Sequence, residues 1–263
     1  MRPAAEIPAP PFPRGLSWVN VASLRMDKQR GRPVLVEFFD VFRPNSLRTL
    51  PYVKAWHERY AADGLRVISV HTPGFAPGRD EDVVRAEIAR LGIEHAVCLD
   101  SEGEVWELYG VDGWPSRYLF DRGQLLADAH VGEGAYADTE RVIQELLGVE
   151  RELVPPLRPE DDPDALIVVP TEDRPGAYSG PYEAGAVWAV LEGAGELVVD
   201  GRRMAIDRPG AYLLVEHRTS VAAVLELEVG PRLTCHATCF SPGLAPTGAA
   251  PTGAAPSRRG VSG

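Results

Sequence analysis

Residues 36–52 read VEFFDVFRPNSLRTLPY, and this stretch decides how the first half of the chain folds. It continues the apolar run Val34–Phe39, whose β-branched and aromatic residues indicate a buried strand. The apolar residues that follow recur at steps of three and four and so share one helical face: Leu47, Leu50, Val53, Trp56 and Tyr60. Gly64 follows where that helix should end.

The same alternation of strand and helix continues to residue 148. Periodicity predicts a strand over 65–70, a helix through Val84, Ile88 and Leu91, a short helix over 104–109, a hairpin over 116–131 and a last helix over 139–147. The order β-α-β-α-(α)-β-β-α predicts an α/β layer structure. Its late hairpin makes the sheet mixed, with helices packed on the sheet.

The second half of the chain has a different pattern. Short apolar runs separated by turn residues, such as Asp200-Gly201, predict a small all-β domain of sandwich or barrel type over 164–240. We expect an extended, proline-rich lead-in over 1–13, the α/β domain over 14–150 and a charged linker over 151–163. The segment 241–263 is poor in large apolar residues and predicts a disordered tail.

Composition narrows the range of functions. The formal net charge is −11, which gives no general attraction to nucleic acid or anionic lipid, so neither is expected as a partner. No apolar run approaches the roughly 20 residues that cross a bilayer. Three cysteines are too few and odd in number for a disulfide framework, which favours a reducing, cytoplasmic location. No cofactor or metal is indicated.

The residues 36–52 resemble the redoxin domains of the thioredoxin superfamily, of the AhpC/TSA and TlpA/DipZ types. The likeness continues through Val70-His71-Thr72-Pro73, Trp114-Pro115-Ser116 and residues 132–140. It covers roughly residues 9–148, in order and without large gaps. The resemblance implies a thioredoxin-like fold and thiol-disulfide oxidoreductase chemistry, which relatives perform with a Cys-x-x-Cys motif.

That motif falls on Arg43-Pro44-Asn45-Ser46, where neither motif cysteine is present. In the family the first cysteine stands at a helix N-terminus, where the helix dipole stabilises its thiolate, and the second resolves the mixed disulfide. Arg43 carries no nucleophile, and Ser46 cannot form a disulfide. The resemblance therefore predicts the fold but not the usual activity.

Two functions remain open from the sequence. In the first, the chain is a redox-inactive binding protein that holds a peptide or protein in the former substrate groove. The resemblance places Phe42, Pro44, Asn45, Trp114 and Pro115 in that groove, with a cis Trp114–Pro115 bond opposite the lost dithiol.

In the second, the chain is a peroxidase or oxidoreductase that uses the single thiol of Cys98. Cys98 lies in a short predicted strand, Ala96-Val97-Cys98-Leu99-Asp100, precedes no helix and has no resolving partner in the motif. These features favour a packed, structural side chain.

A metal or disulfide site at Cys235, His236 and Cys239 is not favoured. No second ligand pair with zinc spacing accompanies these residues. On a strand the two cysteines would lie about 13 Å apart, beyond disulfide reach. The β-rich segment is also similar to the sandwich that follows redoxin domains in DipZ-type proteins, and only a weak binding role is assigned to it.

Overall fold

The structure is a computed structural model, and it describes residues 6–246. The first half of the chain forms a six-stranded mixed sheet in the order β1-β4-β3-β2-β5-β6. Its strands are β1 (Ser17–Val19), β2 (Val34–Phe39), β3 (Arg66–His71), β4 (Ala96–Leu99), β5 (Ser116–Phe120) and β6 (Leu126–Val131). The parallel pairs are β2–β3 and β3–β4, whereas β5, β6 and β1 run antiparallel to their neighbours. The predicted mixed sheet is confirmed.

Four helices cover the two faces of this sheet. They are α1 (Pro44–Tyr60), α2 (Glu81–Arg90), α3 (Glu104–Tyr109) and α4 (Tyr136–Leu147). Because side chains alternate along a strand, Leu35 packs against α1 and α4, whereas Val36 and Phe38 pack beside α3 on the opposite face. The edge strand β1 was not predicted, since three residues are too few to show an alternating pattern.

The segments that flank the α/β layer are held against it. Phe12, in the predicted lead-in, is 8% exposed and joins the core around β2. Residues 151–163, predicted as a linker, contain a short 3-10 helix at Pro159–Asp161. The Tyr52 hydroxyl donates to Asp161 over 2.8 Å, and Arg48 donates to Glu160 over 3.0 Å. This segment is therefore fastened to α1 by charged and aromatic side chains.

The second half is strand-rich, and its described residues form no closed barrel. A four-stranded sheet has the order β12-β9-β14-β8, a three-stranded sheet has the order β11-β10-β13, and β7 pairs with β15. The strands are β7 (Ile167–Val168), β8 (Arg174–Pro175), β9 (Gly180–Gly193), β10 (Gly195–Val199), β11 (Arg202–Ile206), β12 (Gly210–Leu225), β13 (Leu227–Val229), β14 (Leu233–Ser241) and β15 (Gly243–Leu244).

The chain stays ordered past the predicted end of the β-rich region at residue 240. Strand β14 includes Ser241, and Gly243–Leu244 pair with Ile167–Val168. The expectation of a tail from 241 was therefore wrong for its first residues, because backbone pairing continues there. The rest of that predicted tail, residues 247–263, lies outside the described residues.

The two halves share an apolar interface. Val190, Ala237 and Cys239 of the β-rich sheet belong to one buried cluster with Phe42 and Leu50 of the first half. An ion pair of 3.1 Å between Arg208 and Glu87 lies across the same boundary. The side chain of Val190 faces this interface, whereas its neighbours on β9 face the β-rich core.

Replacing Val190 with aspartate should therefore weaken this interface. A carboxylate forced into an apolar contact without a partner costs several kcal/mol, so we expect a loss of roughly 3 kcal/mol or more in the free energy of unfolding. Urea denaturation followed by tryptophan fluorescence measures it. The matched control is Val224→Asp, since Val224 lies on β12 and is 65% exposed. Equal losses of unfolding free energy in the two variants would show that Val190 does not contribute to an interface between the two halves.

Candidate functional site

The turn between β2 and α1 is organised around a buried carboxylate. Asp40 is fully buried, and its oxygens accept the backbone N–H groups of Phe42 over 2.9 Å and of Gly74 over 2.8 Å. Pro44 occupies the first turn of α1, where its fixed φ favours helix initiation. The Ser46 hydroxyl accepts the N–H of Asp40 over 3.3 Å. These contacts fix the start of α1 relative to the end of β2.

Arg43 precedes α1 with an extended backbone, and its guanidinium lies between two aromatic rings. Its central carbon is 4.2 Å from the ring centre of Trp114 and 4.8 Å from that of Phe75. Its Nε is 4.0 Å from a carboxylate oxygen of Asp40, and the side chain is 25% exposed. The rings and the carboxylate offset the unfavourable position of a cation at the positive end of a helix.

Gly74 makes room for this arrangement. A Cβ atom at Gly74 would lie 2.6 Å from the guanidinium nitrogens of Arg43, closer than van der Waals contact permits.

The Trp114 loop faces the start of α1. Its Trp114–Pro115 peptide bond is cis. The indole N–H of Trp114 donates to the backbone oxygen of Thr72 over 3.0 Å, and the Asn45 amide donates to the backbone oxygen of Trp114 over 2.6 Å. The Trp114 ring also lies 4.2 Å from the ring of Trp106. We call the series Trp106, Trp114, Arg43 and Phe75 the aromatic–arginine stack.

The structure brings the five predicted groove residues together but exposes only part of them. Phe42, Pro44 and Pro115 are buried, whereas Asn45 and Trp114 are partly exposed. Phe42 is covered by the β-rich sheet, as described above. Sequence patterns did not predict this cover, because it joins residues nearly 200 positions apart.

A cavity of about 300 Å³ separates the start of α1 from the β-rich region. Its walls include Arg43 and Asn45 on one side and Asp173 and Cys239 on the other.

None of the three cysteines is placed as an exposed nucleophile. All three are free, Cys98 has no exposed surface, and Cys239 is 3% exposed. Burial raises the pKa of the Cys98 thiol far above its usual range, and it does the same to the Cys239 thiol. A thiol in this state is a poor nucleophile at neutral pH.

In the native chain Cys98 should consequently react slowly with a thiol reagent. We expect labelling of Cys98 to be at least about 100-fold slower in the native chain than in the urea-unfolded chain, because the reagent reaches the thiol only on opening. Mass spectrometry of peptides after timed labelling with iodoacetamide measures the rate. Cys235, which is partly exposed, is the internal comparison. Fast labelling of the native chain, together with sulfenic acid formation in dilute peroxide, would instead support the hypothesis that the chain is an enzyme using the single thiol of Cys98.

A buried polar network outside this site, nearer the C-terminal end of α1, was missed by sequence reasoning. The hydroxyl of Ser69 donates to Glu37 over 2.7 Å and lies 2.7 Å from His95 Nε2. Burial raises the pKa of Glu37 to about 7 and lowers that of His95 to about 3. The sequence does contain a signal for this network, because Glu37 is the one charged residue in the apolar run Val34–Phe39.

The described residues contain no group of three or more His, Cys, Asp or Glu placed to hold a metal ion. His236 instead lies 2.8 Å from Glu192, and the Cys235 thiol lies 3.4 Å from the backbone oxygen of Ala237. Within residues 6–246, no helix combines the length and the apolar character that a membrane span requires.

Comparisons with known proteins find similarity over about half of the chain. No family model matches the chain. Protein DipZ of Mycobacterium bovis is 33% identical over 133 residues, which are 49% of this chain but 19% of that protein. Thiol-disulfide oxidoreductase YkuV of Bacillus subtilis is 24% identical over 144 residues, which cover 54% of this chain and 97% of YkuV. The matched region thus spans only about a fifth of the DipZ length.

Solved structures show the same fold. A crystal structure of a thioredoxin-like superfamily protein has a TM-score of 0.50 at 22% identity, and covers 56% of this chain and 99% of that one. A solution structure of a thioredoxin-like protein in the oxidised form has a TM-score of 0.50 at 21% identity, covering 55% and 98%. The first half of the chain is therefore a thioredoxin-like domain. Thiol-disulfide oxidoreductases are among the proteins to which it is similar.

Proposed function

We propose that this chain is a redoxin-type protein that does not catalyse thiol-disulfide exchange and acts as a binding protein. The observation that carries the proposal is the position of Arg43. The family resemblance aligns Arg43 with the first cysteine of the lost dithiol, and the side chain is fixed there by Trp114, Phe75 and Asp40. Thiol-disulfide exchange needs a thiolate at this point, and a guanidinium cannot attack a disulfide sulfur.

The alternative of an enzyme based on Cys98 has no support in the site. Its thiol is fully buried in β4, and the raised pKa keeps it protonated. No described residue lowers that pKa by a positive charge or a hydrogen bond to the thiolate.

The proposed partner is a peptide or protein that docks beside Pro115. The β-rich sheet covers Phe42, so approach is limited to the side of Trp114. There Trp106 and Trp114 are partly exposed, and Val131 is 53% exposed. A Cβ atom at Gly113 would contact Val131 at 3.7 Å, which places Val131 next to the loop. Rigid aromatic rings with exposed aliphatic neighbours are typical of peptide-binding surfaces.

Two broader expectations remain proposals. The net charge of −11 supports the exclusion of nucleic acid and anionic membranes as partners. Three free cysteines support a reducing, cytoplasmic location.

The binding proposal is tested by fluorine NMR on the full chain labelled with 5-fluorotryptophan. The chain has five tryptophans, so single Trp→Phe variants assign the five signals. We expect a pooled library of blocked octapeptides to shift the signals of Trp106 and Trp114 in a saturable way, while the signal of buried Trp56 stays in place. The variant Val131→Ser should weaken this response, since it removes exposed apolar surface. Shifts at other tryptophans alone, or none at any peptide concentration, would contradict the proposal.

A further inference from the structure

The charge around the Trp114 loop selects the kind of partner. Residues 91–116 contain six Asp and Glu residues and no Lys or Arg. Asp100 is buried, where it accepts the backbone N–H groups of Val105 and Trp106 at the start of α3. The other four that follow Leu99 are exposed: Glu102, Glu104, Glu107 and Asp112.

Within residues 6–246, these exposed carboxylates are not neutralised by a neighbouring cation. Across residues 6–246, none of the four has an ion pair with Lys, Arg or His within 4.0 Å. Arg79 reaches only the backbone oxygen of Ser101, at 3.5 Å. The charge of Arg43 is directed at the two rings and at Asp40. Among the described residues, this negative charge therefore faces solvent.

The same side chains come from the helix and the loop that carry Trp106 and Trp114. Glu104 and Glu107 lie on the same six-residue helix as Trp106, whose ring packs on Trp114. Asp112 comes two residues before Trp114 in the same loop. We call Trp106, Trp114 and Val131 with Glu104, Glu107 and Asp112 the acidic–aromatic surface. An apolar centre with a rim of one charge is the arrangement that selects a partner of opposite charge.

We infer that the acidic–aromatic surface binds a basic peptide segment, one in which Lys or Arg alternates with large apolar residues. This inference rests on the proposed binding function and names its partner class. Apolar side chains of the segment contact Trp114 and Val131, and its cations lie against the carboxylates of α3 and the loop. Negatively charged segments are rejected, because like charges would face each other across the contact.

The test uses the full chain and two blocked octapeptides. In one peptide lysine alternates with leucine, and in the other glutamate replaces every lysine. By isothermal titration calorimetry at low salt we expect the lysine peptide to bind at least about tenfold tighter. The difference should shrink in 0.5 M sodium chloride, since salt at roughly this concentration screens exposed charges beyond a few Å.

Matched charge variants separate this surface from the overall charge of the molecule. The variant Glu104→Gln/Glu107→Gln/Asp112→Asn should lose the preference for lysine. The control Glu172→Gln/Glu226→Gln/Glu228→Gln changes the net charge equally at exposed positions of the β-rich region and should keep it.

Equal loss of the preference in both triple variants would overturn the inference, because the preference would then come from net charge. Equal binding of both peptides, with the Trp114 fluorine signal shifted, would overturn it while leaving the proposed binding function intact. No binding of either peptide would also overturn it, and the library experiment then decides the binding function by itself.

Discussion

Replacing both Arg43 and Ser46 with cysteine should give the chain thiol-disulfide chemistry. Residue 43 immediately precedes the 17-residue helix α1, so a thiolate there is stabilised by the helix dipole. Residue 46 lies one turn further along the same helix, within reach of a disulfide. The Trp114 loop already faces this point, held by Asn45.

We expect the double variant to reduce a small disulfide such as cystamine roughly 100-fold faster than the natural chain, which should not exceed the rate of an added free thiol. Insulin should be reduced less efficiently than cystamine, because the β-rich sheet covers Phe42 and restricts a bulky substrate. A background with Cys98, Cys235 and Cys239 replaced by alanine assigns the activity to the new pair.

The single variant Arg43→Cys is the control, since it has the nucleophile but no resolving thiol in the motif. A redox titration of the double variant should show an intramolecular disulfide. If the two introduced thiols never join, the alignment of Arg43 and Ser46 with the family dithiol is wrong. Turnover of insulin by the natural chain would refute the redox-inactive function itself.

The second large effect concerns the stability of the fold as a function of pH. Burial raises the pKa of Glu37 from 4.5 to about 7, so the folded state binds this proton more tightly than the unfolded state. The contribution of Glu37 to the free energy of unfolding is therefore most favourable below pH 4.5, and it is lost as the pH rises through 7. At 1.36 kcal/mol per pKa unit, the shift corresponds to about 3 kcal/mol.

The variant Glu37→Gln should accordingly be more stable than the natural chain by about 3 kcal/mol at pH 8 and nearly equal to it at pH 4.5. His95 acts in the opposite sense, because its lowered pKa destabilises the fold as the pH falls below 6.5. Both chains contain His95, so its contribution cancels in the difference.

Urea denaturation between pH 4.5 and 8 measures the pH dependence. Glu58→Gln, at an exposed position of α1, is the matched control and should show no pH-dependent difference. A constant difference between Glu37→Gln and the natural chain across this range would show that the Glu37 pKa is not raised.

Much of the α/β domain was predictable from residue patterns. Strand β2 and helix α1 were visible because their apolar residues follow the periods of two and 3.6 that backbone geometry imposes. The hairpin β5–β6 and helix α4 followed for the same reason, with turn residues and Gly148 marking their ends. The absence of cysteine at both motif positions, where Arg43 and Ser46 stand, was visible directly in the sequence.

Other features needed the tertiary structure. Val190 has the same character whether it faces its own sheet or another domain, so its contact with the first half could not be read from a strand pattern. The aromatic–arginine stack joins Arg43, Phe75, Trp106 and Trp114 from four separate segments, and no local period connects them.

The sequence by itself determined the strands and helices of the first half from β2 onward, and the absence of cysteine at positions 43 and 46, because each depends on residues close together in the chain. Only the tertiary structure decided what surrounds Arg43 and which of the predicted groove residues are exposed. Those outcomes depend on the burial of Phe42 under a distant sheet and on the fixed position of the Arg43 guanidinium. Burial and long-range contacts arise when distant segments meet, so they are properties of the folded chain as a whole.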